Sequence, residues 1–177
     1  PYLDALAALH AQGHRAGDDA AITAALAALD AWRALCAVHD GPSGTRAWNL
    51  RAGALVRAHA AALGHAPAAA SSDAWFTGRA VMVTRNDTTL GLVNGDVGIV
   101  LPSARHAHHP HHHGDPALRQ AAFLRPDGRI ARWPVARLPA VETAFATSVH
   151  KAQGSEFDRV TLVLPTPWQR PCTRELI

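Results

Sequence analysis

The sequence has few cysteines, almost no lysine and no long apolar run, and each shortage excludes a class of protein. Its two cysteines, Cys36 and Cys172, form neither a disulfide framework nor a C-x-x-C pair. No apolar run approaches the ~20 residues of a membrane span, and no basic-then-apolar signal segment opens the chain. We therefore expect a cytoplasmic protein with reduced thiols and no membrane partner.

Lysine is the scarcest charged residue, because Lys151 is the single lysine among 17 basic side chains. A Walker A loop needs a lysine in the pattern G-x-x-x-x-G-K-[ST] to reach the β- and γ-phosphates of a nucleotide. Lys151 lies instead in V-H-K-A-Q-G, so these 177 residues contain no P-loop. The formal net charge of +3 is too small to indicate nucleic-acid binding by itself.

The first third of the sequence has the three- and four-residue apolar spacing of helices. A helix capped by Asp18 or Asp19 is predicted to end at Asp40-Gly41-Pro42, and a second is predicted from about Ala47 to Leu63. The apolar positions of the first helix are Ile22, Ala25, Leu29, Trp32 and Cys36.

From residue 80 onward the pattern changes to short strands with turn residues between them. Strands are predicted over 80–84, 97–101, 118–125 and 129–135, with turns at Asn94-Gly95 and Asp127-Gly128. These four strands predict a small antiparallel barrel. Two later strands, over 143–149 and 159–164, indicate α/β structure, and the second has the continuous apolar run of a strand buried on both faces.

Six histidines between residues 105 and 113 allow two interpretations. Imidazoles bind Zn²⁺ or Ni²⁺, but a defined site needs fixed geometry and supporting hydrogen bonds. A flexible run of biased composition provides neither, and an insertion in a hairpin loop explains the composition without a metal. We favour the loop insertion and expect no metal site.

A cluster of polar residues follows the strand predicted over 143–149. In open α/β sheets ligands bind beyond the carboxyl ends of the strands, so this cluster is a candidate binding site. Three of its side chains can reach a phosphate, two can reach a ribose or a base, and a glycine allows close backbone approach. These residues are Ser148, His150 and Lys151, then Gln153 and Glu156, and Gly154.

Three segments, in one order, resemble the RecD-like branch of superfamily 1 helicases. The cluster is similar to helicase motif V in the form T-x-H-K-[SA]-Q-G-S-E-F, with Ser148 in the threonine position. Residues 78–99 resemble G-R-P-V-M-I-T-R-N-D followed by L-G-L-F-N-G-D-I-G-I. Residues 32–49 resemble a stretch that ends in G-P-x-G and L-N, and there His39 stands where a charged residue is common.

The resemblance implies an α/β fold, the second RecA-like helicase domain of a P-loop NTPase, with an inserted small SH3-like β-barrel. Residues 1–74 would be the helical part of that domain. Residues 75–139 would be the barrel with its histidine-rich loop, and residues 140–177 would be the C-terminal part carrying motif V. We expect both ends of the chain to be cuts through a longer protein.

The resemblance also implies roles for single residues. Ser148, His150 and Lys151 would contact DNA, with Arg85 and Asn86 as weaker DNA contacts at the edge of the barrel. Gln153, Gly154 and Glu156 would face the nucleotide. No catalytic residue is expected within this chain, and Arg174 does not take the role of the motif VI arginine that stabilises the transition state.

As a whole, the implied protein is an ATP-dependent DNA helicase, the α subunit of exodeoxyribonuclease V, acting on double-strand breaks. ATP and Mg²⁺ would bind the full-length protein and not this chain alone. The implied partners are single-stranded DNA, RecB- and RecC-like subunits and an N-terminal motor domain of the same protein. Three alternatives stay open: a DNA- or subunit-binding remnant without ATPase, a RecD-like helicase outside the RecBCD complex, and a histidine-rich metal-handling protein.

Overall fold

The computed structural model describes residues 1–11, 19–63, 75–103 and 119–166. Within these ranges no helix is long and apolar enough to cross a membrane. The helices are α1 (Tyr2–Ala11), α2 (Asp19–Asp30), α3 (Thr45–Ala62) and a short 3₁₀ helix (Val135–Arg137). The strands are β1 (Arg33–Cys36), β2 (Ala80–Val83), β3 (Val97–Pro102), β4 (Arg119–Leu124), β5 (Ile130–Pro134), β6 (Val141–Thr143), β7 (Ala146–Ser148) and β8 (Val160–Val163).

A three-stranded parallel sheet has the order β7-β1-β8. Its centre is β1, where Ala34 and Cys36 are almost fully buried. Cys36 pairs with Ser148 of β7 and with Val163 of β8, so all three strands end at the same edge. Parallel strands need crossover connections, and α3 begins the connection that leaves β1.

The second sheet has five antiparallel strands in the order β5-β4-β3-β2-β6. Gly128 has a φ of +80° in the tight turn between β4 and β5, where a side chain would be strained. This turn confirms the prediction at Asp127-Gly128. The pairing among the described residues leaves β5 and β6 at the two edges.

Alternate residues of the antiparallel sheet face two separate apolar clusters, as the two-residue period of a strand requires. One face of β2, with Ala80 and Met82, packs under α1 and α2. The other face, with Val81 and Val83, packs with Phe123 and the loop after β2. Both faces of β2 are therefore covered by apolar side chains, and its neighbour β6 lies at one edge of the sheet.

A buried arginine connects the helices to both sheets. Arg33 is 3% exposed and donates hydrogen bonds to the Ala144 carbonyl and, at 2.6 Å, to the Asp30 carboxylate. Its guanidinium also lies 5.3 Å from the centre of the Phe157 ring. Burial lowers the pKa of Arg33, and the Asp30 charge opposes that shift. The charge stays because its partners replace water.

Two predictions about the parallel strands are wrong. The helix predicted to run through Trp32 and Cys36 ends at Asp30, and residues 33–36 form the central strand β1. The strand over 159–164 was expected to be buried on both faces, but Val160 and Leu162 of β8 are 48% and 37% exposed. The two side chains share one face of the strand, and the described part of the chain leaves that face uncovered.

The apolar run over 143–149 forms two strands and not one. Residues Val141–Thr143 pair with β2, whereas Ala146–Ser148 pair with β1. The antiparallel sheet therefore extends past residue 139, the predicted end of the barrel, and the division into domains stays a prediction. The helix predicted from about Ala47 to Leu63 is confirmed as α3. The histidine-rich run, Cys172 and Arg174 lie outside the described residues.

Cys36 is expected to resist alkylation in the folded protein. Its side chain is fully buried, and burial raises the pKa of the thiol to about 11. A raised pKa favours the neutral thiol, so its contribution to stability is complete below the unfolded value of 9.0 and is lost as the pH rises towards 11. Iodoacetamide at about pH 8, followed by peptide mass spectrometry, should leave Cys36 unmodified until guanidinium unfolds the protein. Rapid labelling of the native protein would contradict the burial.

Candidate functional site

A cleft of about 540 Å³ lies where α3, β6 and the end of β7 meet. The carboxyl ends of β1 and β7 are neighbours in the parallel sheet, so the loops that follow them leave the sheet at the same edge. Loops at that edge bind ligands in open α/β folds. The basic residues that line the cleft are His39, Arg46, Arg57, Arg79 and Lys151, and its hydroxyl residues are Thr45, Thr143, Thr147 and Ser148.

Helix α3 supplies one wall of the cleft. Arg46, Asn49, Gly53 and Arg57 are spaced by three or four residues and therefore share one face of the helix. The Arg57 guanidinium lies 4.6 Å from the centre of the Phe76 ring, a cation–π contact that holds the charge at the wall. The backbone positions of the two arginines are about 16 Å apart along the helix axis.

The amide of Asn49 joins this wall to the parallel sheet. Its Nδ2 donates to the Ala146 carbonyl, and its Oδ1 accepts from the Ala146 N–H, each at 2.9 Å. Among the described residues β7 is an edge strand, so no described strand pairs with these two backbone groups. Asn49 takes the place of that strand and fixes the distance between α3 and β7.

The opposite wall is the turn after β7. Ser148 ends the strand, and its Oγ accepts a hydrogen bond from the Lys151 N–H at 3.3 Å. The Ala152 N–H donates to the Ser148 carbonyl at 3.1 Å, which closes the turn. The turn thereby holds the Lys151 side chain at the cleft.

The loop between β1 and α3 has no room for a side chain at Gly44. A Cβ atom there would lie 2.3 Å from the His39 carbonyl oxygen and 2.5 Å from the Asp40 carbonyl oxygen. Thr45 Oγ1 lies 2.8 Å from His39 Nδ1, and the Arg46 N–H donates to the His39 carbonyl. The loop folds tightly back on the start of α3, and His39 and Arg46 both line the cleft.

Positive charge exceeds negative charge in the cleft. Among the residues that the structure describes, three arginines and one lysine line it, and Glu142 is the one carboxylate. Glu142 forms an ion pair of 2.6 Å with Lys151 Nζ. Arg79 donates from Nε to Thr143 Oγ1 at 3.1 Å and lies 5.0 Å from the centre of the Trp75 ring. Such a surface attracts phosphates.

The structure brings two of the predicted DNA-binding residues, Ser148 and Lys151, into the cleft. His150 is exposed on the same turn but does not line the cleft. Arg85 and Asn86 lie in the β2–β3 loop, outside the lining, where Asn86 Oδ1 accepts from the Asn94 N–H at 2.7 Å.

The predicted nucleotide-side residues also lie outside the cleft. Gln153, Gly154 and Glu156 are exposed on or just after the turn, and Gly154 has a φ of +82° with open space around it. Their roles stay predictions. In the part of the chain that the structure describes, no group of three or more metal-ligating side chains is placed to hold an ion.

The sequence-based prediction missed Arg46, Arg57 and Arg79. For the first two a signal was present, because the spacing Arg46, Asn49, Gly53, Arg57 marks one face of a helix that was itself predicted. For Arg79 the sequence offers no such signal. It enters the cleft because β2, which it precedes, pairs with β6 some 60 residues later.

The sequence is similar to curated proteins named RecBCD enzyme subunit RecD. One from Mycobacterium tuberculosis strain H37Rv is 38% identical over 155 residues, which cover 86% of this chain and 23% of that protein. One from Mycolicibacterium smegmatis is 36% identical over 152 residues, with the same two coverages. The chain thus spans about a quarter of the length of these relatives. No protein-family model matches the sequence.

Solved structures of Pif1 helicases show a weaker likeness. Pif1 from Bacteroides in complex with ADP-AlF3 and ssDNA gives a TM-score of 0.38 at 15% identity, covering 92% of this chain and 42% of that one. A structure of two Pif1 helicases at forked dsDNA gives 0.33 at 23% identity, covering 49% and 20%. Both TM-scores are low, so the fold is defined here by the pairing of its own strands.

Proposed function

We propose that the chain forms part of the second RecA-like motor domain of an ATP-dependent DNA helicase. The proposal starts from its similarity to a RecD protein, which covers 86% of the chain. The full-length protein would bind ATP and Mg²⁺, translocate on single-stranded DNA in the cytoplasm and act with RecB- and RecC-like subunits in double-strand-break repair. The chemistry would be phosphoryl transfer from ATP to water, coupled to movement of two motor domains.

The observation that carries the proposal is the basic cleft beside the motif V turn. Ser148 and Lys151 come from the helicase-like segment, and Arg46 and Arg57 face them from α3. The two arginines leave α3 at positions about 16 Å apart along its axis, a spacing that suits an extended polyanion better than a single phosphate. Contacts to phosphates bind a single strand without choosing a sequence, as a translocating motor requires.

The motif V turn would couple the two ligands. Ser148 and Lys151 face the cleft, whereas Gln153, Gly154 and Glu156 are exposed beyond it. In this proposal the second group faces ATP held by the rest of the protein, and His150 joins the DNA contacts. A strand passing through the cleft would then move the turn on which the nucleotide contacts lie.

The five-stranded antiparallel sheet would be the SH3-like insert of such a helicase. It contributes Glu142 and Thr143 of β6 to the cleft, so insert and motor share one surface. Arg85 and Asn86, on the β2–β3 loop of this sheet, would contact DNA further along its path.

Salt-dependent binding of oligo(dT) by the full-length protein tests the proposal. Each phosphate contact contributes about 0.7 to the slope of log K against log salt for single strands. Removing two contacts in the Arg46→Ala/Arg57→Ala variant should lower that slope by about 1.4 and weaken binding to oligo(dT) of about 20 nucleotides. Fluorescence anisotropy across a salt series measures both quantities.

Arg129→Ala is the matched control, because Arg129 lies in the β4–β5 turn and its side chain is 85% exposed. It removes one charge outside the cleft and should leave the slope unchanged. Equal losses in the control and the cleft variant would contradict the proposal, and so would a wild-type protein that does not bind oligo(dT). Binding without DNA-stimulated ATP hydrolysis would favour the non-catalytic alternative.

A further inference from the structure

The single lysine of the chain is already neutralised by an acidic neighbour. Lys151 Nζ lies 2.6 Å from Glu142 Oε1, and the two side chains are 49% and 35% exposed. The proposed function needs the Lys151 charge for a DNA phosphate. In the structure a carboxylate of the same chain holds that charge.

Half-exposed ion pairs contribute little to folding stability, because water solvates both charges in the unfolded chain. The pair is therefore replaceable: a phosphate oxygen offers Lys151 the same charge-assisted hydrogen bond that Glu142 does. Glu142 also lies in β6 of the antiparallel sheet, whereas Lys151 follows β7 of the parallel sheet. The pair thus connects the two sheets across the cleft.

We propose that Glu142 competes with DNA phosphate for Lys151, an inference that rests on the proposed function. When a single strand enters the cleft, its phosphate replaces the Glu142 carboxylate on Lys151 Nζ. The released carboxylate then lies beside the phosphate and weakens its hold. Glu142 thereby sets an upper limit on the affinity for a phosphate at this position, which lets a moving strand leave the site. The ion pair holds the motif V turn to the antiparallel sheet, and the turn is released only while DNA is bound.

Affinity for oligo(dT), measured on the full-length protein, distinguishes competition from simple charge repulsion. Glu142→Gln keeps the size of the side chain, removes its charge and should raise affinity about three- to tenfold at about 50 mM salt. If Glu142 acts through Lys151, the gain in affinity should disappear once Lys151 is removed. The Glu142→Gln/Lys151→Ala double variant should then bind oligo(dT) no more tightly than Lys151→Ala alone, which is strong coupling between the two residues. Asp127→Asn, in the exposed β4–β5 turn, removes the same charge and should change nothing.

Acetylation of Lys151 provides a second readout. Because Lys151 is the single lysine of these residues, one peptide reports its reactivity. Oligo(dT) should protect Lys151 from acetic anhydride in the wild-type protein, and Glu142→Gln should give the same protection at a lower concentration of oligo(dT).

The outcomes separate this inference from the proposed function. If wild-type protein binds oligo(dT) but Glu142→Gln raises affinity equally with and without Lys151, competition is overturned and the cleft proposal stands. Unchanged or lower affinity in Glu142→Gln, with unfolding curves that match wild type, overturns it as well. If wild-type protein does not bind oligo(dT), both fail.

Discussion

Replacing Asn49 by alanine is expected to destabilise the folded chain by about 2–5 kcal/mol, because two buried backbone groups lose their partner together. The Asn49 amide donates one hydrogen bond to the Ala146 carbonyl and accepts another from the Ala146 N–H, each at 2.9 Å. Ala146 is 4% exposed, so water cannot easily replace either bond. Urea unfolding of the full-length protein and its variants measures the loss.

If the cleft binds DNA as proposed, the same variant should also weaken binding of oligo(dT), since Asn49 fixes the distance between α3 and β7. Asn49→Asp is an informative intermediate: its carboxylate still accepts from the Ala146 N–H but repels the Ala146 carbonyl. Leu55→Ala is the control on the same helix, because Leu55 is 66% exposed and its truncation should change stability little. If Asn49→Ala lowered the free energy of unfolding no more than Leu55→Ala does, the two hydrogen bonds would not be what holds α3 against β7.

Strand positions in the antiparallel sheet were predictable because they depend on local signals. The run of apolar residues at 80–83 and the Asp127-Gly128 turn each specify structure within a few residues. Helix α3 was predictable for the same reason, since its alanine content favours a helix by local propensity alone.

The central strand β1 could not be predicted in this way. It has four residues, too few to show a two-residue period, and its apolar positions happen to continue the helical spacing of α2. Its burial comes from β7 and β8, which lie more than 100 residues later in the sequence. Pairing over that distance overrides local propensity, and a single sequence gives no sign of it.

The site was predictable only where one segment carries it. Ser148 and Lys151 are three residues apart, and the polar cluster after a strand identified both. Glu142 and Arg79 enter the cleft through the pairing of β6 with β2, so their role depends on contacts that the sequence does not reveal. The sequence therefore indicated the wall after β7, and the spacing along α3 carried an unused signal for Arg46 and Arg57. Tertiary structure alone brings Glu142 and Arg79 to the cleft.

Gly44→Ala is expected to destabilise the folded chain by about 3 kcal/mol or more, the upper end of the cost of overpacking. The new Cβ would lie 2.3 Å from the His39 carbonyl oxygen, and a backbone atom cannot move aside as a flexible side chain can. To relieve the clash the β1–α3 loop must open. The hydrogen bonds from the Thr45 N–H to the Val38 carbonyl and from the Arg46 N–H to the His39 carbonyl, of 3.1 and 3.2 Å, then lengthen or break.

Gly41→Asn provides the control for this change. Gly41 has a φ of +83°, which asparagine tolerates better than most residues, and a Cβ atom added there would meet nothing within 4 Å. The two glycines are three residues apart in one loop, so they separate a lack of space from a need for backbone freedom. Urea unfolding should show a large decrease in the free energy of unfolding for Gly44→Ala and a small decrease for Gly41→Asn.

The Gly44 substitution should also change the cleft, because His39 and Arg46 line it. We expect Gly44→Ala to weaken oligo(dT) binding at temperatures where the variant is still folded, since an opened loop moves both side chains away from the phosphates. Gly41→Asn should bind as wild type does. A Gly44→Ala variant as stable as wild type would mean that the loop relaxes without cost, and the tight packing of His39 against the start of α3 would then have no role in shaping the cleft.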